Sequence, residues 1–221
     1  MMKASPIRCL VTAGPTREYI DPVRFISNPS SGKMGYALAQ AAIDRGWTVD
    51  LISGPVALPC PTAARLYEIE TAEQLNQTLH DLFPPCDVLI MAAAVSDFKP
   101  AKKLPCKEKK LEARRTLELV PTPDSLLEMS LQKGSRILVG FAAETENLEE
   151  HGLRKLQEKD LDWIAVNKVG ADIGFQSDDN EILLIGSDGT RLLIGPGAKT
   201  KVARDLLDAL NLETICNTLS K

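Results

Sequence analysis

An α/β fold with a doubly wound, mostly parallel sheet is predicted by three features of the 221-residue sequence. Short, continuous apolar runs alternate with segments of helical periodicity, the βαβ rhythm. The runs are apolar on consecutive residues, as in strands covered on both faces. Turn residues such as Gly46 and the Gly54-Pro55 pair punctuate them at helix and strand ends. In such sheets, ligands sit beyond the carboxyl ends of the strands where strand order reverses. The ends of the first and fourth strands are therefore the places to look.

Ile7 to Val11 forms the first buried strand, followed by a long polar loop, Thr12 to Gly32. Lys33 to Arg45 is amphipathic and stops at Gly46, so it is read as a helix. Thr48 to Ser53 is the second strand and Arg65 to Ile69 the third. Thr71 with Gln74 spells a capping box opening a helix through Leu82. Asp87 to Ala93 is the central strand, and the sheet continues through Leu117 to Val120 and Arg136 to Ala142, with a helix over Asp124 to Gln132. Asn147 to Lys159 is a second amphipathic helix, placing Lys155 and Lys159 on one face. Asp162 to Val166 is a further strand. Glu181 to Ile185 and Arg191 to Ile194, joined through Ser187-Asp188-Gly189, form a C-terminal β-hairpin before a last helix, Lys199 to Leu210. No internal repeat or linker divides the chain, and one domain over 1–221 is expected.

Composition excludes several classes. A net charge of -4 argues against general nucleic-acid or membrane-surface binding. The longest apolar run, Val88 to Val95, falls far short of the roughly 20 residues that span a bilayer. The N-terminus shows no signal-peptide pattern, so a cytoplasmic protein is expected. Five scattered cysteines without a CxxC pair read as reduced thiols, and two histidines offer little to a zinc site or a Ser-His-Asp triad.

The stretch RFISNPSSGKMG, Arg24 to Gly35, combines small and polar residues immediately before a helix start. Unpaired NH groups and the positive end of the helix dipole suit that position to a phosphate or carboxylate. It is neither a P-loop, because Ser27 and Met34 occupy essential positions, nor a GxGxxG fingerprint. A tight connection with a serine N-cap explains the same residues. At the end of the central strand, Met91-Ala92-Ala93 leaves room for a base or ribose, and Asp97 either binds a ribose hydroxyl or base amine or caps a turn. Phe141 is either a stacking aromatic at the ligand edge or core. Lys99 to Arg115 carries a net charge of +6 on an acidic protein, which reads as a flap closing over a polyanion or as a solvated loop.

Taken together, SNPSSGKMG, the preceding DPVRFI, AAAVSDF (Ala92 to Phe98), the KxKK run from Lys107 to Lys110 and GFAAET (Gly140 to Thr145) resemble phosphopantothenoylcysteine synthetase of the bacterial, CTP-dependent type. The resemblance covers nearly the whole chain in order. It implies a Rossmann-like fold and a ligase of coenzyme A biosynthesis. The carboxylate of 4'-phosphopantothenate attacks the α-phosphate of CTP, pyrophosphate leaves, and the amine of L-cysteine attacks the acyl-cytidylate to release CMP. It further implies Mg2+ on the triphosphate, a homodimer, and either a stand-alone synthetase or one half of a fusion with a flavin-dependent decarboxylase.

Carried over by motif, Asn28 turns the acyl-cytidylate into amide, its NH2 aimed at the acyl carbonyl, with Arg24 nearby. Lys107 neutralises the phosphates, supported by Lys110. Met91, Ala92, Ala93, Asp97, Phe141, Lys155, Lys159 and the loop Val120, Pro121, Thr122 and Pro123 hold the nucleotide. No protein ligand is assigned to the metal. Relatives often have Lys-Asn-Pro-Asp where this chain has Pro121-Thr122-Pro123-Asp124, which leaves backbone contacts there but not the first two side chains. An NAD(P)-dependent oxidoreductase, a non-catalytic nucleotide-binding regulator and a preference for ATP are the competing readings.

Overall fold

The computed structural model describes residues 6–107, 109, 116–168 and 178–210. The elements in order are β1 (Arg8–Ala13), β2 (Arg17–Tyr19), β3 (Phe25–Ser27), α1 (Lys33–Asp44), β4 (Thr48–Ser53), β5 (Ala64–Glu68), α2 (Ala72–Leu82), β6 (Val88–Met91), β7 (Phe98–Pro100), β8 (Leu119–Pro121), α3 (Ser125–Ser130), β9 (Ile137–Glu144), α4 (Leu148–Glu158), β10 (Trp163–Lys168), β11 (Asp179–Gly186), β12 (Arg191–Ala198) and α5 (Lys199–Leu210).

Eight strands form one sheet in the order β12-β11-β10-β9-β6-β1-β4-β5. The six strands from β5 to β10 are mutually parallel, and the hairpin β11–β12 adds two antiparallel strands at one edge. Counting only the parallel strands along the chain, the spatial order is 3-2-1-4-5-6, that of dinucleotide-binding folds, with its reversal between β1 and β6.

The two-residue repeat of each strand divides the core between the sheet's faces. Cys9, Val11, Val49, Leu51, Val88, Ile90, Val139 and Ala165 pack under α1 and α5. Leu10, Ile52, Leu89, Leu138, Ile164 and Ile185 pack under α2, α3 and α4. Because the central strands β1, β6 and β9 are covered on both faces, they read as largely apolar runs. The Thr71 capping box is formed as expected: its hydroxyl accepts from Gln74 N, and the Gln74 side chain accepts from Thr71 N.

Three expectations are corrected. The strand placed at Leu117 to Val120 is Leu119–Pro121, and it pairs with Phe98–Pro100 in a separate ribbon instead of continuing the sheet. The loop after β1 contains a second ribbon, β2 with β3, whose three-residue strands are too short to show a period. Helix α1 has no serine N-cap. Gly32 holds that position at φ 76, the left-handed region open to glycine, with no side-chain cap bond.

Candidate active site

A cavity of about 680 Å³ opens above the strand ends at the reversal of strand order, between the loop before α1 and the segments that follow β6 and β9. Backbone bonds lock the two exits together: Ala94 N donates to Gly14 O at 2.9 Å and Thr16 N to Ala94 O at 3.3 Å. Threonine side chains complete the lock. Thr12 Oγ1 accepts from Ala93 N at 3.1 Å, and Thr16 Oγ1 accepts from Ser96 N at 3.0 Å.

The loop leading into α1 forms one wall, with Asn28, Ser30, Ser31, Gly32 and Lys33 lining the cavity. Ser27 Oγ donates to Thr16 O at 2.7 Å, fixing the loop's entry. Asn28 Nδ2 donates to Ala94 O at 3.2 Å and Val95 O at 3.0 Å. Both partners are carbonyls, so the atom facing them is the nitrogen whichever way the amide is drawn. In the structure its NH2 thus ties the loop to the end of β6.

The opposite wall is built from three elements. Thr122 Oγ1 donates to Ser96 O at 2.6 Å and Thr122 N to Asp97 O at 3.0 Å, which pins the loop before α3 to the segment after β6. Phe141 on β9 is half-buried, packing on the core and also lining the cavity. Lys155 of α4 and Lys159, which caps its C-terminus, both line the cavity. Each has a carboxylate partner: Lys155 Nζ lies 2.6 Å from Glu144 Oε1, and Lys159 Nζ 2.9 Å from Asp124 Oδ1. Burial pushes the Glu144 carboxyl up, but hydrogen bonds from Lys155 and His151, with their charges, outweigh it and hold Glu144 below its ordinary value. The clamp is therefore complete at neutral pH and is lost only as pH falls through that lowered value.

Met91, Ala92, Ala93, Asp97, Pro121, Thr122, Pro123, Phe141, Lys155, Lys159 and Asn28 thus share one cavity. Val120, Arg24 and Lys107 do not line it. Arg24 instead pairs through its guanidinium with the fully buried carboxylate of Asp21. Lys107 is exposed at the end of a segment whose Leu104 N donates to Ile20 O at 2.8 Å. Lys110 lies outside the described residues.

Sequence reasoning missed the far end of the cavity, where Asn167, Asn180 and Lys199 meet the loop before α1. None belongs to a spaced motif; Lys199 in particular is only the first residue of a helix, yet it is 7% exposed. Burial first, then the charge of Lys33, lowers its ammonium from the ordinary value, with Asp178 opposing. Buried polar atoms of residues in the cavity walls, Ser96 Oγ, Ser125 Oγ and Asn167 Oδ1, have no hydrogen-bond partner among the described residues. Among the described residues no cysteine or histidine lines the cavity, and no group of three His, Cys, Asp or Glu is placed to hold a metal. Burial pushes the Cys86 thiol up to about 12, so it stays protonated.

Known proteins share this architecture. A family model described as DNA/pantothenate metabolism flavoprotein C-terminal domain matches residues 5–212. The coenzyme A biosynthesis bifunctional protein CoaBC of Bacillus subtilis is 42% identical over 203 residues, covering 91% of this chain and 50% of that protein. The Escherichia coli protein of the same name is 41% identical over 192 residues, covering 85% and 47%. The chain therefore spans about half the length of the curated relatives it matches. A crystal structure of the C-terminal domain of CoaBC superposes with a TM-score of 0.80 at 36% identity, covering 94% of this chain and 95% of that one. A Cab2 variant in complex with phosphopantothenate-cysteine shares the fold, with a TM-score of 0.81 at 15% identity over 97% of this chain and 89% of that one. With a match over nearly its whole length, the chain belongs to the family of the DNA/pantothenate metabolism flavoprotein C-terminal domain.

Proposed function

We propose that this chain is a phosphopantothenate-cysteine ligase of coenzyme A biosynthesis, joining 4'-phosphopantothenate to L-cysteine through an acyl-cytidylate formed from CTP. The observation that carries this reading is the convergence of the loop before α1, the β6 end, Phe141 and two lysines on one cavity at the strand-order reversal. Relatives named for coenzyme A biosynthesis and a same-fold protein with bound phosphopantothenate-cysteine support it.

The chemistry asks for positioning and charge neutralisation. The small side chains of Ala92 and Ala93 admit the nucleotide, with Phe141 beside it, and the lysines of α4 supply N–H donors. Ser30, Ser31 and Gly32, at the start of α1, face anionic groups with the positive end of the helix dipole. The substrate carboxylate and then the cysteine amine are the nucleophiles, so none is required from the protein. Mg2+, carried mainly on the triphosphate oxygens, would neutralise charge on the departing pyrophosphate. Asp97 is the cavity carboxylate without a lysine partner among the ion pairs described, and it suits that ion's outer contacts.

Lys107 enters this reading as a residue brought to the phosphates from the exposed basic segment. Lys107→Gln is expected to slow pyrophosphate release by about 2–4 kcal/mol of transition-state stabilisation. Wild-type single-turnover rates in that variant would remove Lys107 from the chemistry.

A cytoplasmic homodimer is the expected form; among the described residues no helix is long and apolar enough to cross a membrane. The β2–β3 and β7–β8 ribbons touch each other, and they and the β2–β3 turn carry the exposed apolar residues Val23, Phe25 (40%), Phe98 (53%) and Leu119, which a second copy would cover. Light scattering at the dimer mass is the check.

The dinucleotide-fold strand order favours an oxidoreductase as the second reading. One experiment separates the two: pyrophosphate release from CTP and Mg2+ with 4'-phosphopantothenate, with and without cysteine, and with ATP in parallel. Phosphopantothenate-dependent release that turns over only with cysteine establishes the ligase. No release with either nucleotide removes it.

A further inference from the structure

Glu144, the last residue of β9, has no part in the chemistry above, yet one of its oxygens holds a side chain that does. Oε1 accepts from Lys155 Nζ at 2.6 Å, and Oε2 lies 3.0 Å from His151 Nδ1. The Glu144 side chain is only 15% exposed, so this clamp is partly shielded from water. His151 and Lys155 are one turn apart on α4, and a single carboxylate therefore grips both across the strand–helix gap. Only Lys155 of the three lines the cavity.

Resting on the nucleotide reading of this cavity, we propose that Glu144 is a positioning residue for the nucleotide, acting through Lys155. A free lysine side chain loses rotamer freedom when it engages a ligand, and that cost weakens binding. Here Glu144 fixes the ammonium before the ligand arrives. An ammonium has three N–H donors. One goes to Glu144, and the others are presented to the cavity. Pairing also cancels the lysine's charge, so this end of the site reads the position of an oxygen or nitrogen acceptor, such as one on a base, and not the total charge of a phosphate. His151, on the other oxygen, keeps the carboxylate from rotating away. The Asp124–Lys159 pair repeats the device one turn along the helix, but Asp124 also caps α3 by accepting from Leu127 N at 3.1 Å. Glu144 is thus the cleaner position to test.

The test is calorimetric titration of CTP into the full chain, with steady-state kinetics alongside. Glu144→Gln keeps the shape and removes the charge; it is expected to weaken CTP binding roughly tenfold and to raise the CTP KM alike, with kcat and the cysteine KM within about twofold. Lys155→Met should weaken CTP binding to a similar extent, and the double variant no further, because Glu144 acts through the ammonium that is already gone. If the two losses multiply in the double variant, or if Glu144→Gln binds CTP as tightly as wild type, Glu144 is structural only and the inference falls. Should Glu144→Gln fail to fold, Glu144→Asp pulls the carboxylate back by one methylene and reads the same cycle. Failure of the wild-type protein itself to bind CTP would instead take down the nucleotide reading, an outcome separate from a binding wild type with indifferent variants.

Discussion

Asn28→Asp is expected to slow both half-reactions, formation of the acyl-cytidylate as well as its capture by cysteine, by about 2–4 kcal/mol, or roughly 30- to 1,000-fold. The wild-type NH2 donates to Ala94 O and Val95 O, and through them it holds the loop before α1 against the end of β6. A carboxylate has no donor, so the variant sets a negative oxygen against two carbonyls at about hydrogen-bond distance. The loop should move, and with it Ser30, Ser31 and Gly32 in the cavity wall. Single-turnover measurement of pyrophosphate release and of amide formation separates the steps. Normal pyrophosphate release with slow amide formation would put the NH2 on the acyl carbonyl during turnover and count against its holding role.

Gly54→Ala is expected to destabilise the protein by about 3 kcal/mol and to impair nucleotide binding with it. Gly54 follows β4, and a Cβ there would stand 1.8 Å from Pro15 O and 2.8 Å from Pro15 C. Neither backbone can retreat cheaply. Gly54 N donates to Ala13 O at 2.9 Å, and the segment holding Pro15 is bonded to Ala94 on both sides. The connection after β4 thus props up the one after β1, which holds the cavity-lining residue Ala94 in place. Urea unfolding followed by near-UV circular dichroism gives the midpoint shift; an unchanged midpoint would mean that these loops yield more readily than their bonding implies.

How far the chain could be read in advance varies along it for physical reasons. Thr48–Ser53 matches its sequence boundaries because Gly46 and Gly54-Pro55 punctuate it at both ends. The α2 start was visible because a capping box needs only two residues at fixed spacing. The start of α1 at Lys33 was visible too, but its cap was not, since Gly32 works through backbone conformation and presents no side chain to recognise. Strands of three residues, as in β2 and β7, carry too little pattern to register.

The sequence by itself determined the parallel α/β sheet, most element positions, and the strand ends and lysines of one cavity wall. These rest on local periodicity and on motifs contiguous in the chain. Only the tertiary structure decided which groups meet. It turned the Asn28 amide onto the β6 exit and left Lys107 outside the cavity. It also brought Asn167, Asn180 and Lys199 to the far wall and set Glu144 against Lys155. Those juxtapositions depend on strand order and on where each loop is pinned, and neither is encoded in the spacing between neighbouring residues.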